Sequence, residues 1–259
     1  MPVLAIDNVS FSYVADVPTL RNVSFEVQRG EFLTLVGPNG SGKSTLLKLL
    51  DRIYLPAEGV ILLDGRPLLA YARTELARKI AYVPQEREME FSFSVEEIVL
   101  MGRAPHAGGH LFESTHDRDI ARRMMDLTDI THLADHSITN LSGGERQRAF
   151  IARALAQQAS VILLDEPTAH LDIAHQVDIF RLLQSLSANT GLTVISVSHD
   201  LNLAAMHSDR LAMLRAGSLA ALGTPDDVLT ADRIRDVFRA DVLVDRHPKL
   251  DSPRVTMLR

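Results

Sequence analysis

Gly37 to Thr45 read GPNGSGKST, a glycine-rich run that ends in a lysine and two hydroxyls. Gly37, Gly42, Lys43 and Ser44 satisfy the spacing G-x-x-x-x-G-K-[ST], and the motif lies between the apolar run FLTLV and the helical LLKLL. Small residues let backbone N–H groups turn inward around an anion, and a helix N-terminus adds the positive end of its dipole. Lys43 supplies a point charge for the outer phosphates, and the Ser44 hydroxyl can ligate Mg2+. Pro38, Asn39, Gly40, Ser41 and Thr45 complete the loop. The plainer reading is a tight turn without a ligand; the flanking strand and helix favour a loop that holds a nucleoside triphosphate.

A second constellation says how the nucleotide is used. In VILLDEPTAHLD a buried strand delivers Asp165 at its C-terminal end, where open α/β sheets place their ligands. Asp165 can hold magnesium through a water, and Glu166 can orient or deprotonate the attacking water. An Asp-Glu pair after an apolar run is common by chance, and much less so downstream of a phosphate loop.

The elements that must position these groups alternate. LAIDNVSFSYV, TLRNVSFEVQ and FLTLV read as strands separated by turn signals at DVP and QRG. STLLKLLDRIYL has helical spacing from Ser44 to about Leu55 and is stopped by Pro56. VILLDGRPL reads as a strand with an Asp-Gly turn. From about Ser94 to Leu133 the pattern is helical, and Ser94 with Glu97 fits a capping box. A helix from Gly143, the strand VILLD, the helix IAHQVDIFRLLQSL and the strand TVISV follow. Strands alternating with helices predict a mostly parallel sheet covered on both faces. The segment after Arg239 reads as the least structured part.

Composition excludes several classes. A formal net charge of −6 argues against nucleic acid as the main partner and against electrostatic adsorption to an anionic membrane. With no cysteine, neither a disulfide framework nor a thiolate metal site is available. The start lacks a secretory pattern, and no apolar run approaches the ~20 residues of a membrane-spanning helix. These features predict a cytoplasmic chain that meets a membrane only through a protein partner.

LSGGERQR, Leu141 to Arg148, resembles the signature of ATP-binding cassette (ABC) ATPases, and it stands in order with GPNGSGKST and LLDEP. Ser142, Gly143 and Gly144 also make a small-residue helix start, with Ser142 and Glu145 as a capping box. That plain reading leaves the glycine pair unexplained. The resemblance covers essentially the whole chain. It implies a P-loop NTPase core with a mostly parallel sheet, an N-terminal antiparallel β subdomain and an inserted α-helical subdomain. The expected boundaries are about 1–93 and 159–240 for core and β subdomain, 94–158 for the helical subdomain, and 241–259 for a C-terminal tail.

In that family two cassettes sandwich two ATP molecules head to tail, so the resemblance implies a homodimer. Ser142, Gly143, Gly144 and Glu145 would then meet the nucleotide of the partner subunit. Tyr13 matches the aromatic that stacks on adenine, and Gln85 the glutamine that ligates Mg2+ beside Ser44 and Asp165. His199 matches the histidine that contacts the γ-phosphate, with Glu166 as the catalytic base; Asp200 after it fits a helix N-cap equally well. Asp172 matches an aspartate that communicates across the dimer. VEEIVLMGRAPH, EPTAHLDIAHQ and GTPDDVLTADRIRDVF resemble the importer ATPases for ferric siderophores, haem and cobalamin. Such subunits sit on the cytoplasmic face of the membrane, bound to two transmembrane permease subunits and served indirectly by an extracytoplasmic binding protein. Arg103, Pro105 and His106 either lie near the docking surface or simply close a helix. Asp51-Arg52 and Arg239 depart from the pattern, standing where small residues or glycine are usual. The competing readings are a mechanoenzyme acting on nucleic acid or ribosomes, a small-molecule kinase and an exporter cassette. The first usually carries coiled-coil insertions or tandem cassettes, the second needs no LSGGE, and the third is often fused to its membrane domain.

Overall fold

The computed structural model describes residues 2–85, 92–107 and 114–258. Of the expected domain spans, residues 1, 86–91, 108–113 and 259 lie outside the described residues.

In chain order the elements begin with strands β1 (Leu4–Val14), β2 (Val17–Val27) and β3 (Phe32–Val36), helix α1 (Lys43–Leu50), and strands β4 (Glu58–Leu63) and β5 (Arg66–Pro67). Next come α2 (Arg73–Ala77), β6 (Ile80–Val83), α3 (Val95–Leu100), α4 (Thr115–Leu127), α5 (Gly143–Ala156), β7 (Val161–Leu164) and α6 (Ile173–Thr190). The chain ends with β8 (Thr193–Val197), α7 (Leu201–His207), β9 (Arg210–Arg215), β10 (Ser218–Gly223), α8 (Pro225–Val228), α9 (Ala231–Phe238), β11 (Val242–Arg246) and β12 (Pro253–Met257). The fold class is α/β, as the alternation of the sequence requires.

Two compact units share these elements: residues 1–70 with 183–259, and residues 71–182. In the first unit an antiparallel sheet runs β2-β1-β4-β5, and a second sheet runs β10-β9-β3-β8. β3 lies parallel to both β8 and β9, while β10 returns antiparallel to β9. Every residue of β3 and β8 is buried, which explains why FLTLV and TVISV show no polar alternation. The β4–β5 turn places Asp64 and Gly65 at φ 49° and 75°, the left-handed pair that an Asp-Gly turn predicts.

In the second unit β6 and β7 pair in parallel. Helices α3, α4 and α5 pack through Val95, Ile98, Val99, Ile120, Met125 and Phe150. The Ser94–Glu97 capping box forms as expected, with Ser94 N–H donating to the Glu97 carboxylate at 2.8 Å.

Two expectations need correction. Helix α1 does not run to Leu55; it ends at Leu50. Arg52 adopts φ 56°, and Ile53 N–H reaches back to Lys48 O at 2.8 Å while Arg52 N–H reaches Leu49 O at 3.0 Å. This is a Schellman ending with arginine in the place glycine usually takes, its guanidinium donating to Leu68 O at 2.9 Å. Arg239 ends α9 in the same left-handed conformation. The segment after Arg239 is likewise not unstructured. β11 and β12 pair from Val242↔Met257 to Arg246↔Pro253. Arg254 donates twice to Asp245, at 2.8 and 2.6 Å, and Asn202 holds both backbone groups of Val255.

Among the described residues no helix is long and apolar enough to cross a membrane.

Candidate nucleotide site

The phosphate loop leaves the end of β3. Two of its glycines, Gly37 and Gly42, answer to close neighbours as well as to backbone angle. Gly37 takes φ 146°, and a Cβ there would lie 2.2 Å from Leu214 O; Gly42 takes φ 101°, and a Cβ there would lie 2.6 Å from Leu20 Cδ2. Lys43 is buried and donates from Nζ to Gly37 O at 2.8 Å and Pro38 O at 3.0 Å, so its charge is folded over the loop. Ser41 is buried too, and its Oγ has no hydrogen-bond partner among the described residues. A buried hydroxyl needs a partner, and an anionic oxygen held in the loop provides one. The loop therefore fits a phosphate.

Because β3 and β8 are parallel neighbours with Leu35 opposite Val197, the loops after both strands leave the same edge of the sheet. His199 follows β8 there and is exposed. Asp200 serves as the N-cap of α7, accepting from Asn202 and Leu203 N–H at 2.8 and 2.9 Å. Tyr13, near the end of β1, is 51% exposed, with its OH 3.1 Å from Thr45 Oγ1 and its ring edge-on to Phe11 and Tyr54. An aromatic surface is thus tied to the first turn of α1.

In the second unit β6 and β7 deliver their own pair. Val83 stands opposite Leu164, so Gln85 and the Asp165-Glu166 step leave one edge together. Gln85 Nε2 donates to Glu166 Oε2 at 2.7 Å, and Tyr82 OH donates to Asp165 Oδ2 at 3.3 Å. Asp165 is buried, whereas Glu166 sits at φ 49°, a left-handed conformation that is costly for a glutamate and re-aims its side chain. Within this unit Gln85 and Asp165 offer amide carbonyl and carboxylate oxygens, hard donors of the kind that Mg2+ takes.

The signature opens α5. Ser142 is its N-cap, Glu145 N–H donates to Ser142 Oγ at 3.3 Å, and Ser142 N–H and Oγ donate to Glu145 Oε2 at 2.9 and 2.7 Å. These bonds hold the Glu145 carboxyl below its ordinary value, with the nearby His132 and His175 as smaller contributors. Glu145 is thus committed to its own helix start, while Ser142 and Gly143 remain exposed. Asp172 is exposed as well, and accepts from the backbone and side-chain nitrogens of His175 at 2.9 and 2.7 Å.

Arg103 lies in the interior of its unit. It is buried and donates to Asp117 at 2.8 Å, Ala156 O at 2.8 Å and Gln158 at 2.9 Å. Pro105 O accepts from Arg78, and His106 pairs with Gln157 O. Sequence reasoning missed Tyr82 and His175. Tyr82 was legible as the penultimate residue of a strand ending beside the glutamine, and His175 as the residue three beyond Asp172.

Residues 20–169 match the ABC transporter family. The ferric enterobactin transport ATP-binding protein of Escherichia coli is 40% identical over 237 residues, which is 92% of this chain and 88% of that protein. The hemin import ATP-binding protein of Streptomyces coelicolor is 45% identical over 232 residues, 90% of this chain and 82% of that protein. A solved structure described as the inward-facing conformation of a metal-chelate type ABC transporter is 32% identical, covers 100% of this chain and 98% of its own, and superposes with a TM-score of 0.88. Motif order, strand-end geometry and full-length similarity agree: the chain belongs to the ABC transporter family, and it is an ATP-binding ATPase.

Proposed function

We propose that this ATPase is the motor subunit of an importer for a metal chelate, a ferric siderophore, haem or cobalamin. The observation that carries the reading is similarity over nine-tenths of the chain to proteins named for ferric enterobactin and hemin import. Among the described residues no feature favours action on nucleic acid or ribosomes.

The working unit in this reading is a homodimer on the cytoplasmic face of the membrane, docked on two permease subunits. Residues 94–158 form the helical subdomain that carries the signature. The phosphate loop from Gly37 to Thr45 holds the triphosphate, Lys43 neutralises its outer charge, and Tyr13 receives the adenine. Ser44, Gln85 and Asp165 hold Mg2+, which when bound neutralises charge developing on the phosphate oxygens. Glu166, oriented by Gln85, takes the proton of the attacking water, and His199 contacts the γ-phosphate. Ser142 to Glu145 approach the nucleotide of the partner subunit, with Asp172 reporting across the dimer. Transport follows because ATP binds the closed dimer better than the open one; a ligand indifferent to the two states would move nothing.

The test uses membrane vesicles holding this chain with its permease and binding protein. Uptake of radiolabelled haem, cobalamin or a ferric siderophore should require ATP and stop with E166Q. Uptake of one of them that persists undiminished in E166Q would overturn the reading.

A further inference from the structure

The glycine pair of the signature has a cause inside its own chain. A Cβ at Gly144 would lie 2.5 Å from His175 Cδ2, 2.8 Å from Cγ and 3.0 Å from Nε2, so the imidazole lies flat against the helix start where a side chain would otherwise stand. A Cβ at Gly143 would lie 3.3 Å from Leu171 Cδ2. The ring is pinned from its other edge: Nδ1 is 2.7 Å from Asp172 Oδ1, and His175 N–H donates to the same oxygen at 2.9 Å. Because that oxygen belongs to a carboxylate, Nδ1 carries the hydrogen, which fixes both tautomer and ring plane. Gly144 thus rests on a histidine whose orientation is set by Asp172.

We propose that His175 is a positioning residue for the composite nucleotide site, linking Asp172 to the signature so that the two segments facing the partner subunit keep one geometry. The inference rests on the head-to-tail reading of the dimer. Asp172, Ser142 and Gly143 are exposed and Gly144 is buried, and the imidazole is braced between Asp172 and Gly144. Displacing Asp172 turns the ring, and turning the ring moves the floor beneath Gly144. An alanine at position 175 removes both the floor and the link, whereas asparagine keeps an N–H where Nδ1 stands.

The experiment takes the E166Q chain as parent, with MgATP saturating, and measures the dimer dissociation constant by sedimentation over a range of protein concentrations. H175A should weaken the dimer about tenfold or more, the scale of a lost hydrogen bond to a charged group. H175N should recover most of that loss. Binding of a fluorescent ATP analogue to dilute monomer should stay within about twofold of the parent in both variants, since the signature serves the other chain's nucleotide. A general loss of structure would lower monomer binding too, and that result overturns the inference. So does an H175A dimer as tight as the parent, or an H175N dimer as weak as H175A. A parent that never dimerises in ATP overturns the head-to-tail reading itself, and this inference with it.

Discussion

Gln85 and Glu166 are joined by a hydrogen bond of 2.7 Å, from the amide nitrogen to a carboxylate oxygen, at the ends of two parallel strands. The bond fixes the direction of a carboxylate that stands in left-handed backbone. A glutamine at position 166 retains shape and can still accept from Gln85, but it cannot take a proton. E166Q should therefore bind ATP with near-parental affinity while turnover falls about 10²–10⁴-fold. Phosphate release under saturating MgATP checks this; unchanged turnover would place the base elsewhere.

Tyr13 makes two separable contributions. Its ring offers an exposed face for the base, and its hydroxyl ties that face to Thr45 at 3.1 Å. Loss of the ring in Y13A should cost about 1–3 kcal/mol of nucleotide binding, the worth of a stacked base. Y13F keeps the face and should bind within a few-fold of the parent. Titration calorimetry with ATP distinguishes the two, and equal affinity in Y13A and the parent would remove Tyr13 from the site.

Much of this architecture could be read from residue order, and the misses share a cause. β3, β7 and β8 were legible because fully buried parallel strands leave short, wholly apolar runs. The phosphate loop was legible because Gly37, Gly40 and Gly42 all take positive φ, and at Gly37 a Cβ would also strike Leu214 O. The end of α1 was not, since Arg52 holds a left-handed turn with no glycine to announce it. The β11–β12 hairpin was hidden by its six-residue connection and by charged residues within five-residue strands. The glycine pair of the signature was unexplained in sequence because its neighbour, the His175 ring, arrives from a segment some thirty residues away.

Asp51, at the C-terminal end of α1, is a pH-dependent weak point. Burial pushes its carboxyl up from 3.8 to about 7, and the nearby Arg52 charge offsets only part of the rise. Raising an acid's pKa in the folded state means that the unfolded chain gives up this proton first. Stability from this group is therefore lost as pH rises between about 4 and 7, and is flat above. D51N has no such proton. Its stability advantage over the parent should widen from pH 5 to pH 7 and level off by pH 8 at about 2–4 kcal/mol. Urea unfolding at these three pH values measures the gap; a gap independent of pH would mean that Asp51 is solvated.

The composite site can be tested by complementation. K43A removes the phosphate charge from a chain's own loop, and S142R places a bulky guanidinium at the helix start meant for the partner's nucleotide. Each variant alone should fail to occlude MgATP. In a heterodimer of the two, one site carries both lesions and the other carries none. Because occlusion needs only one complete site, the decisive measurement is radiolabelled ATP trapped after rapid mixing, in heterodimers confirmed by mass. Recovery toward one ATP per heterodimer is the expected result. No recovery would mean that Ser142 serves its own chain's nucleotide, and the head-to-tail assembly would be contradicted.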